Sequence, residues 1–193
     1  MQKEEPYNNS EIENKAERKD LLTQEIVAAF GVSGEPVLLT GGQDTSYLVE
    51  NIVFKPTKDT VEASWISQIN NGLTSNKFRV PKSFRAKDGS WVYDGWTASE
   101  FLQGEHRPGH YAEAIELSRV FHHALKDVPK PDWFDKKTDV FSLSDRMAWG
   151  ELPPPDFEVA NKPLQRVFGI LKHNSLPNQL IHGDWGPGQD FIS

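Results

Sequence analysis

Cysteine is absent from the chain, so disulfide frameworks, thiolate metal sites and cysteine nucleophiles are all excluded. Also lacking is any run of about 18 apolar residues, the length that a membrane-spanning helix needs, so no membrane association is expected. The N-terminus has no apolar core after a basic start, which argues against a secretory signal, and a cytoplasmic location follows by elimination. Positive charge is the scarcer sign: 21 Lys and Arg stand against 28 Asp and Glu, a formal net charge of −7. A general nucleic-acid binder normally shows the reverse balance, so no nucleic-acid partner is expected. The acidic balance serves solubility and biases the chain modestly toward cationic ligands. What is present is bulk for an interior: 6 Trp and 11 Phe in 193 residues, enough for one good core or two small lobes.

Residues 1–20 are rich in Glu, Lys and Asn and hold almost no large apolar side chains, the composition of a mobile or weakly helical tail. Leu21, Leu22, Ile26, Val27 and Phe30 then fall at helical spacings, with Gly31 placed as a C-terminal stop. Three short strands are predicted next, over 36–39, 46–50 and 52–55, the last two meeting at a tight turn near Asn51. Residues 61–71 have helical spacing, with Trp65, Ile66 and Ile69 on one side. Strands predicted over 79–85 and 91–93 flank Lys87-Asp88-Gly89, a strong hairpin signal, and an extended stretch over 96–102 leads to Gly104.

Beyond Gly104 the texture changes. Ala114, Ile115, Leu117, Ser118, Phe121 and Leu125 predict a buried helix over 111–125. Leu164, Val167, Phe168 and Leu171 predict a second amphipathic helix over 159–173, and the proline-studded stretch 128–155 between them reads as irregular. Strands first, with one embedded helix, and then helices is α+β organisation rather than a doubly wound sheet. The boundaries that follow are a tail at 1–20, an N-lobe at 21–103 and a C-lobe at 104–193.

Gly41-Gly42-Gln43-Asp44-Thr45-Ser46 connects the first two predicted strands. Glycines there let the backbone approach an anion closely, and successive N–H groups can cradle phosphate oxygens; an ordinary hairpin turn is the alternative. Lys55 ends the apolar strand Ile52-Val53-Phe54, and Pro56 cannot continue the ladder. By itself Lys55 reads equally as a solvated strand-end lysine. Glu62 opens the following helix, where a carboxylate also complements the macrodipole. His122-His123, with His106 and His110 upstream, lack the spacing of zinc motifs and read as surface or helix-packing histidines. No G-x-S-x-G elbow and no Walker-type phosphate loop is present.

The apolar pair Leu180-Ile181 precedes His182-Gly183-Asp184-Trp185-Gly186-Pro187-Gly188-Gln189. This stretch resembles the H-G-D-x-x-x-x-N catalytic loop of the aminoglycoside phosphotransferase and choline kinase-like family. The glycine-rich hairpin, the strand lysine, the helix glutamate and Ser99-Glu100-Phe101-Leu102-Gln103-Gly104-Glu105 stand in that family's order, from Pro36 to Gln189. The resemblance implies a two-lobed protein kinase-like fold, with a small antiparallel-sheet N-lobe and a mostly helical, incomplete C-lobe. It implies ATP-dependent transfer of the γ-phosphate to a hydroxyl of a small molecule, with ATP and Mg²⁺ as cofactors. In that scheme Asp184 is the catalytic base and His182 holds the loop backbone. Lys55 grips the α- and β-phosphates, and Glu62 braces Lys55. Gly41, Gly42 and Ser46 line the phosphates, and the 99–104 linker, with Glu100 and Leu102, meets adenine through its main chain.

Gln189 stands where the family has a metal-binding Asn; its carbonyl oxygen is an adequate hard-cation ligand but reaches about one bond further. The family's second metal-binding Asp is expected beyond Ser193. Two expectations follow from that. One is a fragment of a longer phosphotransferase. The other is a truncated kinase-like module that binds nucleotide weakly, or associates with itself or a partner through its incomplete C-lobe, without catalysis.

Overall fold

A computed structural model of the chain describes residues 22–40, 44–104, 109–153, 163, 166–167, 169–170 and 179–182. The tail at 1–20 lies outside them, as does most of the helix expected over 159–173. The chain divides into two compact units, with the break between His110 and Tyr111. Among the described residues the architecture is α+β: a five-stranded antiparallel sheet with a few helices. None of those helices is long and apolar enough to cross a membrane.

The first unit opens with helix α1, Gln24–Ala29. The Thr23 hydroxyl caps it by accepting from the Ile26 amide at 3.3 Å. Its end is a Schellman motif: the Val32 amide reaches the Val27 carbonyl at 3.3 Å and the Gly31 amide reaches Ala28 at 3.0 Å. Gly31 supplies the positive φ of 77° that this closure requires. Val27 and Val32, both buried, belong to one apolar cluster, in keeping with the apolar contact that accompanies the motif.

Strands β1 (Val37–Leu38), β2 (Tyr47–Val49), β3 (Ile52–Pro56), β4 (Ser83–Phe84) and β5 (Trp96–Glu100) form the sheet in the order β1-β2-β3-β5-β4. Period-two alternation sends Tyr47, Val49, Ile52, Phe54, Trp96 and Ala98 to one face. There they pack with Leu22, Ile26, Val27 and Phe30 of the α1 segment as one core. Phe30 meets Phe54 edge-to-face at 5.6 Å, and Tyr47 meets Trp96 at 5.9 Å.

Helix α2, Thr60–Gly72, begins at Asp59, whose carboxylate accepts from the Glu62 amide at 2.9 Å. Its buried position is Ser67, one residue round from Ile66, so Ile66 faces outward and not, as the spacing suggested, inward. The helix then closes the open edge of the sheet. Asn71 brackets Ser83, donating to its carbonyl at 3.0 Å and accepting from its amide at 2.7 Å. A side-chain amide thus occupies the pairing groups that an edge strand otherwise offers to another chain. Lys82 donates to the Asn70 and Leu73 carbonyls at 2.8 and 2.6 Å, satisfying the helix end.

Strand β4 is shorter than the expected 79–85, and its partner is β5 and not the 91–93 segment. The Lys87-Asp88-Gly89 turn does form, closed by the Ala86 amide on Ser90 at 2.9 Å with Gly89 at φ 86°. A second tight turn, Asp94-Gly95, takes the chain into β5, with φ of 46° and 76° at its two central residues. That is the sign pattern of a type I′ hairpin, and Asp-Gly is a favoured pair for it.

In the second unit, helix α3 spans Tyr111–Leu125 and buries Phe121 and Leu125, one turn apart. Ile115, expected to face inward, is 62% exposed. A 3₁₀ turn follows at Phe134–Lys136. The stretch expected to be irregular contains helix α4, Val140–Ala148. Its prolines lie only at the ends, at 129, 131 and 153–155, and leave room for a capped helix. Asp139 accepts from the Ser142 amide at 3.0 Å and hydroxyl at 2.6 Å, and Gly150, at φ 74°, closes the other end. The two Ser142 bonds, the hydroxyl foremost, hold the Asp139 carboxyl below its usual pKa. Val167, expected inward, is exposed.

Phe54→Ala is expected to cost about 3–5 kcal/mol of stability, because Phe54 is fully buried at the centre of the sheet. Lys55→Met, at the exposed neighbour, stays within about 0.5 kcal/mol. Urea unfolding followed by tryptophan fluorescence measures both.

Candidate functional site

The alternation that buries Phe54 sends Lys55 to the other face of the sheet. Register partners in antiparallel strands share a face, so Lys55 stands there with Thr97, Val53 with Leu48 and Ser99, and Leu48 with Val37. The outcome is a strip of three aliphatic residues, Val37, Leu48 and Val53, running up to one exposed amine. Val37 is 61% exposed, although it sits within a strand. The Thr97 hydroxyl donates to the Lys55 carbonyl at 3.1 Å, tying the two strands together beside the amine. Such a surface suits a ligand with a flat apolar end and an anionic tail.

The β1–β2 connection opens beside this strip. The Leu39 amide donates to the Ser46 carbonyl at 2.9 Å, closing the loop that carries Gly41 and Gly42. Ser46 is half-buried, and Asp44 has a positive φ of 49°, the turn geometry that a short polar residue tolerates. Gly41 and Gly42 themselves lie outside the described residues.

Glu62 is the third residue of α2, half-buried, with its amide held by Asp59. Lys55 makes no ion pair among the described residues. In the 99–104 linker, the Glu100 amide donates to the Lys82 carbonyl at 2.8 Å and the Phe101 amide to Asn51 at 2.9 Å. The Glu100 carboxylate pairs with Arg79 at 3.3 Å. Leu102, half-buried, is the first linker residue beyond these pairings.

Asp184 and Gln189 lie outside the described residues, but the segment that leads to them does not. The His182 amide donates to Nε2 of His122, on α3, at 3.1 Å. The Phe121 ring stands edge-on to both imidazoles, at 5.8 Å from His122 and 6.1 Å from His182. Nothing local in the sequence marked His122 as this partner, since sixty residues separate donor and acceptor. Among the described residues no group of three or more His, Cys, Asp or Glu side chains is arranged to hold a metal ion. Comparison of the chain with the models of known families, with curated proteins and with solved structures finds no match.

An imidazole that accepts at Nε2 must be neutral. Desolvation, and then the charge of nearby His182, hold the His122 pKa below its ordinary value of 6.5. Because the folded value is the lower one, the His122 contribution to stability is intact above pH 6.5 and is lost as the pH falls toward the lowered value. Melting temperatures followed from pH 7.5 to pH 5 are therefore expected to fall more steeply for the native chain than for His122→Ala.

Proposed function

We propose that the chain is an ATP-dependent phosphotransferase with a two-lobed, kinase-like fold, acting in the cytoplasm on a hydroxyl of a small molecule. The observation that carries this reading is the Lys55 face of the sheet. An amine stands at the end of an aliphatic strip, beside a glycine-containing hairpin, with the 99–104 linker running from the same sheet. In the proposed N-lobe, 21–103, the Val37–Leu48–Val53 strip covers the adenine ring, and the Leu102 main chain meets its edge. Lys55 neutralises the α- and β-phosphates while Gly41, Gly42 and Ser46 line them from the hairpin. Glu62, in the first turn of α2, is the carboxylate proposed to brace the amine once phosphate is bound; the two side chains form no ion pair in this structure.

In the proposed C-lobe, 104–193, Asp184 accepts or orients the proton of the acceptor hydroxyl. Phosphoryl transfer asks mainly for positioning and for charge stabilisation, so few side chains suffice. Mg²⁺ held through Gln189 would neutralise charge on the transferring phosphoryl group. The Gln189 amide oxygen would supply one hard-cation donor, and the remaining ligands would come from the nucleotide and solvent. The net charge of −7 agrees with a cationic acceptor.

A second reading, a kinase-like module that associates with itself or a partner without turnover, draws on the second unit. Phe141 is 79% exposed, and Val140 and Trp149 are also largely open to solvent. Exposed apolar surface of this kind marks association sites.

Mg²⁺-dependent ADP formation, screened across small hydroxylated and cationic acceptors, separates the two. Under the first reading, Asp184→Asn and Lys55→Met each lower turnover by roughly 10²–10⁴ while the fold is unchanged. Turnover that survives Asp184→Asn contradicts it. Under the second reading the native chain binds nucleotide without turnover, and Phe141→Glu shifts its sedimentation toward a smaller species.

A further inference from the structure

We propose that His122 is a positioning residue for the catalytic loop, fixing the backbone two residues ahead of Asp184 through the His182 amide. This rests on the reading of Asp184 given above. The contact joins two parts of the chain sixty residues apart and is made to a main-chain group, so it is indifferent to the ring at position 182. On the helix side His122 is half-buried. His122 lies next to Phe121, and Phe121 and Leu125 are the two residues that α3 buries. On the loop side the anchored amide starts a tether of two residues, which spans at most about 7 Å when fully extended.

The tautomer is also set. Nε2 carries the lone pair and Nδ1 the proton, because only an unprotonated nitrogen accepts. Phe121, edge-on to both imidazoles, restrains the ring planes that this hydrogen bond needs. A carboxylate that must meet an acceptor hydroxyl loses rate steeply when misplaced by an ångström. His122 contributes through that placement and touches no reacting atom.

His122→Gln keeps an acceptor at nearly the same reach as Nε2, His122→Asn carries a shorter one, and His122→Ala has none. The first readout needs no activity. In ¹⁵N-labelled protein the native His122 is expected as the Nδ1-protonated tautomer. Exchange of the His182 amide should quicken about tenfold in the Ala and Asn variants and hold in Gln, the effect of one hydrogen bond of ordinary strength. The Gln and Asn variants, compared at equal melting temperature, keep the test valid if Ala unfolds.

The second readout is kinetic. Ala and Asn lower kcat by about 10- to 100-fold with the KM for ATP unchanged, and Gln restores it. An unchanged His182 amide in the Ala and Asn variants overturns the contact. A loss of kcat that Gln fails to restore overturns the positioning role. If the amide responds as expected but the native chain has no turnover, the Asp184 reading fails and takes the catalytic meaning of the anchor with it, while the contact itself stands.

Discussion

The pleat of β3 is the constraint on which the rest depends. Ile52 and Phe54 must face the α1 core, and the side-chain period of two then sends Val53 and Lys55 to the other side. A slip of one residue would bury an amine beside Phe30 and expose a phenylalanine, so the register is strongly specified. Burying Phe54 contributes on the order of 2–3 kcal/mol, far more than any single interaction on the Lys55 face could recover. The same alternation carries into the neighbours, with Leu48 and Thr97 placed beside Lys55 by the register alone. The Lys55 face is thus a by-product of core packing.

Around that sheet the open backbone groups are satisfied by local devices. The Schellman closure after α1, the Asp59 cap and the Asn71 bracket on Ser83 each pair groups that would otherwise face water or another chain. The second unit uses similar caps at Asp139 and Gly150 but buries fewer large side chains in its described part. Its amphipathic elements leave Ile115, Phe141 and Trp149 open.

Much of the first unit was legible in the sequence because its signals are local. Pro56 marks the end of β3, Gly31 the end of α1 and Lys87-Asp88-Gly89 a turn, each through a backbone restriction of the residue itself. Asp94-Gly95 is an equally direct turn signal, and the extended stretch expected from residue 96 starts where β5 does. Proline content hid α4, although the prolines flank the helix and do not enter it. Ile66 and Ile115 misled because periodicity marks an apolar stripe but not whether a partner covers it. The His122–His182 bond was illegible in principle, being a tertiary contact with no short-range pattern. Of the candidate site, the place of Lys55 at the end of an apolar strand was legible, while its neighbours Leu48, Val53 and Thr97 on the same face came from the register.

Titration of the ¹⁵N-labelled chain with Mg²⁺-ATP, followed by amide shifts, tests the central claim most directly. Saturable shifts at Leu48, Val53, Lys55, Thr97 and Leu102, with the α1 amides unmoved, are the result the account predicts. An unchanged spectrum at millimolar nucleotide, or shifts confined to the α1 side of the sheet, would contradict it.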